Sequence, residues 1–234
     1  MANLRELDEV LKKNSDAKKA KLLSGFFKTG KGEYGEGDIF LGIIVPTQRK
    51  IAREFIDFGF EEIQKMLDSE VHEKRLIALL ILVDKFRKND EKARKEIFDF
   101  YLKNTRNINN WDLVDLSAPK IVGGFLIDRD REILYKLAKS GDLWEKRIAI
   151  ISTYAFIREN DFKDTLKISE VLLKDKHDLI HKAVGWMLRE IGKKDEKELT
   201  DFLDKHYGNM PRTMLRYAIE RLDKKKRKRY LKRG

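Results

Sequence analysis

The chain has no cysteine among its 234 residues. That inventory excludes disulfide frameworks, thiolate zinc sites, iron–sulfur clusters and cysteine nucleophiles. Prolines are also scarce, only Pro46, Pro119 and Pro211, so few positions interrupt a helix. Long apolar runs are missing: the longest, residues 76–83, is fenced by Arg75 and Asp84 and is far too short to span a bilayer. Residues 1–11 alternate acidic and basic side chains and lack a signal-peptide apolar stretch. These absences predict a cytoplasmic protein with no membrane association, no metal and no small-molecule cofactor.

Charge is abundant. Lys and Arg (51) outnumber Asp and Glu (40), for a formal charge of +11. Polyanions are the natural partner class, because cations that displace phosphate counterions gain affinity. A charged fraction of 39% is also the ordinary solvated surface of a heat-adapted protein, so charge names a partner class without assigning it. The 41% of hydrophobic residues suffices for a continuous core. A single domain over residues 1–234 is expected, with a helical cap and glycine-rich loop in 1–45, helical repeats in 46–222 and a basic tail in 223–234.

Apolar residues recur three and four apart nearly everywhere, as at Ile97, Phe98, Tyr101 and Leu102, which favours helices over strands. Helices are predicted to follow Asp16, Pro46, Asn89, Asn109, Asp128, Asp142, Asp161, Asp178, Asp195 and Met210, several of them good N-caps. Residues 29–38 carry four glycines and read as an ordered surface loop. They do not form a P-loop, since no Lys-Ser or Lys-Thr follows at the required place.

Similar helices recur along the chain. Arg147, Lys182 and Arg216 are spaced by about 35 residues, the size of a helical hairpin in a repeat protein. Arg75 lies two such intervals before Arg147, and Trp111 sits at the midpoint. The predicted fold is therefore all-α, a HEAT-like helical-repeat solenoid (an α-α superhelix). In this register, Asp115 and Trp186 fall four places, and Arg189 seven places, after an anchor, on the same helix face. Trp111, Asp115 and Trp186 with Arg75, Arg147, Lys182, Arg189 and Arg216 are thus expected on one lane. Cations there would grip phosphates, indoles would meet a base or sugar, and Asp115 would be the acid at the reacting centre. The plainer alternative makes the tryptophans core residues, pairs Asp115 with Arg147 and leaves the cations solvated.

Several segments resemble the DNA alkylation repair family, helical-repeat glycosylases that remove cationic N3- and N7-alkylpurines. They are Phe26-Phe27-Lys28-Thr29-Gly30 through Phe40-Leu41-Gly42-Ile43, Asn110-Trp111-Asp112-Leu113-Val114-Asp115, Leu143-Trp144-Glu145-Lys146-Arg147, and Ala183-Val184-Gly185-Trp186-Met187-Leu188-Arg189-Glu190. The resemblance implies active-site roles for Trp111, Asp115 and Trp186 and DNA contacts for Arg147 and Arg189. It implies double-stranded DNA containing alkylated bases as the partner, acted on by a monomer. One departure is the insert between Gly30 and Asp38, longer than in the best-known glycosylase members. A noncatalytic binder of unusual DNA shapes and a protein-binding scaffold are the competing readings.

Three further signals carry less. His177 and His181 lie four apart without a third ligand in a recognisable zinc motif and read as a surface pair. Asp112 is expected to point away from the lane and act as a helix-start residue on the dipole. The run 224–229 is either a nonspecific DNA hold or a frayed, solvated tail.

Overall fold

A computed structural model describes residues 3–232. The helices are α1 (Leu4–Asn14), α2 (Ala17–Phe26), α3 (Val45–Glu54), α4 (Phe60–Leu67), α5 (His72–Lys88), α6 (Glu91–Lys103), α7 (Trp111–Ala118), α8 (Glu132–Ala138), α9 (Leu143–Ser152), α10 (Tyr154–Arg158), α11 (Lys163–Leu172), α12 (Asp178–Lys194), α13 (Glu196–His206), α14 (Arg212–Ala218) and α15 (Lys224–Leu231). The only β pairing among the described residues is an isolated parallel bridge between Ile39 and Val71. No helix among them is long and apolar enough to cross a membrane. The chain is an all-α helical-repeat protein, and it divides into two compact units, one ending at Ser117 and the other beginning at Ala118.

Side-chain caps account for many of the helix starts. Asp16, Asp90, Asp142, Asp195 and Asp223 each accept backbone N–H groups of the first turn that have no helical partner. Pro46 lies in the first turn of α3, where a missing N–H costs nothing. The helix expected after Asp128 begins later, at Glu132. The guanidinium of Arg131 holds the intervening turn, donating to the carbonyls of Leu126 and Ile127.

In the first unit the apolar run of α5 is buried all round, and α3, α4 and α6 pack against it. In the second, α9, α12 and α14 lie side by side, with α8 against α9 and both α11 and α13 against α12. These three helices carry Arg147, Lys182 and Arg216, three of the four basic anchors of the sequence repeat, so the spacing in this unit reports stacked hairpins. Gly185 permits the close approach of α12 to α14: a Cβ there would stand 2.5 Å from both the Met214 carbonyl oxygen and the Tyr217 Cβ of α14.

The basic run 224–229 is helical in α15, and the buried Tyr230 anchors it. That corrects the alternative of a frayed tail.

Candidate nucleic-acid interface and reaction site

In the first unit, the extended backbone after the glycine-rich loop runs beside the start of α5. Ile39 N donates to Glu70 O at 3.0 Å, and His72 N donates to Ile39 O at 2.9 Å. Glu73, wholly buried, then accepts the backbone N–H groups of Leu41, Gly42 and Ile43 at 2.9–3.2 Å. Gly42 has φ +84° and a Cβ there would lie 2.1 Å from Asp16 O, so only glycine fits at this crossing. Within the loop, Gly32 and Gly37 also have positive φ, as its composition predicted.

This pairing delivers Asp38 into the interior. One of its oxygens accepts from Arg75 Nη2 at 2.6 Å and the other from His72 Nδ1 at 3.1 Å. His72 Nε2 lies 2.8 Å from Asp112 Oδ2. Burial alone would lower the His72 pKa, but the hydrogen bonds to Asp112 and Asp38 outweigh it and raise it to about 9. An imidazolium donating to two carboxylates therefore joins the loop, α5 and α7. Asp38 is held below the usual carboxylate range: burial opposes this, and hydrogen bonding from His72 with the Arg75 charge overrides it.

One sequence expectation is extended here and another corrected. Asp112 stands in the first turn of α7 as expected, and its buried carboxylate also closes the His72 bridge. Arg75 is only 4% exposed, with its guanidinium on Asp38 and on Ser69 O at 2.9 Å. It therefore staples the fold and has little surface to offer a phosphate.

The same cluster supports Trp111. Its indole stacks on Phe27 (5.0 Å, 14°), Phe27 stacks on Phe40 (5.0 Å, 18°), and Phe40 stacks on His72 (4.5 Å, 22°). Phe26, 63% exposed, meets the indole edge-on at 5.8 Å. Trp111 is itself partly exposed, as is Asp115, one turn further along α7. Burial holds the Tyr101 hydroxyl well above its ordinary pKa, and the negative charge of nearby Asp115 adds to this. Trp111 and Asp115 thus share a face of one short helix, with an aromatic column behind the indole and the ionic bridge at its foot.

In the second unit, Trp186 Nε1 donates to Glu190 Oε1 at 3.0 Å, and the Tyr154 ring lies 6.1 Å from the indole. Glu190 also accepts from Lys193 at 2.7 Å, and Arg189 Nε lies 3.7 Å away. Arg189 is ion-paired with Glu220. Lys182 pairs with Asp178 at 2.7 Å, and Arg216 is exposed on α14. Arg147 is only 5% exposed and donates to Leu179 O at 2.6 Å, tying α9 to the first turn of α12. Its head is largely spent inside the fold, contrary to the phosphate-gripping role its register suggested. His177 caps α12 by accepting Leu179 N–H, and His181 Nε2 lies 2.6 Å from Asp175 O.

The structure thus groups Trp111 with Asp115 in the first unit, and Trp186 with Arg189 around Glu190 in the second. Sequence reasoning missed His72, Asp38, the Phe27–Phe40 pair and Glu190. The available signal was a histidine opening the helix with the longest apolar run, with an acid immediately after Trp111.

Residues 7–222 match a family model described as DNA alkylation repair enzyme. Among solved structures, the chain is similar to one described as a predicted DNA alkylation repair enzyme from Enterococcus faecalis. The TM-score is 0.69 at 14% identity, over 90% of this chain and 98% of that one, a likeness of fold. No curated protein sequence matches.

Proposed function

Because the chain belongs to the DNA alkylation repair enzyme family, we propose that it is a glycosylase that hydrolyses the N-glycosidic bond of cationic N3- and N7-alkylpurines in duplex DNA. The observation that carries this reading is Trp111 and Asp115 on one face of α7, with the indole stacked on Phe27.

Alkylation at N3 or N7 already makes the purine a cationic leaving group, so no general acid is required. When the C1′–N bond breaks, its electron pair leaves with the purine, which becomes neutral, and positive charge develops on the deoxyribose. The Asp115 carboxylate stabilises that charge and orients the water that attacks C1′. Trp111 offers a π face to the sugar or the cationic base, an attraction of about 0.5–2 kcal/mol depending on desolvation, and Trp186 in the second unit offers its own to DNA. Arg189, Lys182 and Arg216 supply positive charge for the phosphates. Arg75 and Arg147 act indirectly, by fixing α5 and α12.

Incubation with methylated duplex DNA tests the proposal. Release of free 7-methylguanine is expected. Tight DNA binding without base release would replace the enzyme with a noncatalytic binder, and absence of DNA binding would favour a protein scaffold.

A further inference from the structure

Six consecutive cations, residues 224–229, lie in one short helix, α15. Like charges three and four residues apart destabilise an isolated helix, so this one depends on its anchors. The Tyr230 hydroxyl donates to Asp204 at 2.8 Å, and the ring meets Tyr207 edge-on at 5.5 Å. Arg229 reaches the same Asp204 carboxylate at 2.9 Å, and Lys226 pairs with Glu196. Asp223 caps the first turn by accepting from Lys225 N and Lys226 N.

Those contacts use one side of the helix. At 3.6 residues per turn, Lys224, Lys225, Arg227 and Lys228 fan over the other side, and all four are exposed. None of the four has an acidic ion-pair partner among the described residues. Exposed helices elsewhere in the chain interleave their signs, as in Lys95–Asp99, Lys182–Asp178 and Lys197–Asp201. A merely solvated surface would be expected to follow that pattern, and α15 departs from it. Its four free cations occupy roughly 6 Å of helix length, against one phosphate charge per roughly 1.7 Å of duplex axis.

We propose that α15 is a preformed contact for the DNA phosphate backbone, independent of sequence and of damage. The inference rests on the reading of this protein as a DNA enzyme and adds a binding surface outside the reaction site. It assigns α15 the task of holding undamaged duplex.

The test compares the full-length protein with a variant carrying Lys224→Gln, Lys225→Gln, Arg227→Gln and Lys228→Gln, which keeps the anchors Lys226, Arg229 and Tyr230. A control removes equal charge at the exposed Lys12, Lys13, Lys88 and Lys92. Affinity for a short undamaged duplex is measured across a salt series, and circular dichroism checks that the helices persist. The slope of log affinity against log salt should become shallower by about two to four for the α15 variant, since each lost phosphate contact removes roughly 0.9. The control slope should change by less than about one.

An unchanged slope in the α15 variant, with the unmodified protein still binding DNA, overturns the role of α15 and leaves the proposed function standing. Equal falls in both variants also overturn it, because they report overall charge. If the unmodified protein does not bind duplex DNA, both proposals fail. Loss of binding to phosphatidylserine vesicles without loss of DNA binding would reassign α15 to a membrane surface.

Discussion

His72 Nε2 lies 2.8 Å from a carboxylate oxygen of Asp112, the residue directly after Trp111. The ring's other nitrogen is 3.1 Å from Asp38, at the end of the glycine-rich loop. One buried imidazolium therefore sets both the segment that carries Phe40 and the helix that carries the proposed reaction site.

The bridge makes stability depend on pH, with a sign fixed by its direction. His72 is raised from its ordinary 6.5 to about 9, so the folded state binds the extra proton. Its contribution is fully present below about pH 6.5 and is lost as pH rises through about 9, by at most about 3 kcal/mol. Asp38 acts oppositely: its contribution is present above its ordinary 3.8 and is lost as pH falls through its lower folded value. Urea midpoints across the alkaline window should fall in the unmodified protein and stay nearly flat in His72→Gln. Parallel curves would remove His72 as the cause.

Replacing Asp38 by Asn keeps the shape but leaves His72 and Arg75 facing a neutral amide in the interior. Breaking a buried ionic group this way should cost about 3–5 kcal/mol in urea unfolding. Asp201→Asn, which breaks the exposed pair with Lys197, should cost less than about 1 kcal/mol. Equal losses would mean that the Asp38 network contributes no more than a surface pair.

Gly185→Ala places a methyl group against the α14 backbone. The helices must separate, at an expected cost of about 1–3 kcal/mol. A stability within error of the unmodified protein would show that α12 and α14 have room to spare.

Much of the fold was legible because helices announce themselves by periodicity and caps. The basic anchors recurred at hairpin spacing, and Asp16, Asp142 and Asp195 stood where the caps are. The site was legible only on α7 and α12, where four-residue spacing brings Trp111 to Asp115 and the repeat register put Trp186 and Arg189 on one helix face. The Asp38–His72–Asp112 bridge was not. It joins residues 34 and 40 positions apart, and no local pattern encodes a contact made by a loop folding back on a helix. Arg75 and Arg147 misled for a related reason: register puts them on a helix face but does not say whether a long side chain ends in solvent or on an interior acceptor.

Single-turnover excision of 7-methylguanine by Asp115→Asn, set beside its affinity for the same DNA, tests the central claim most directly. The account predicts a rate lower by on the order of a hundredfold with affinity nearly unchanged. An excision rate equal to that of the unmodified protein would contradict it.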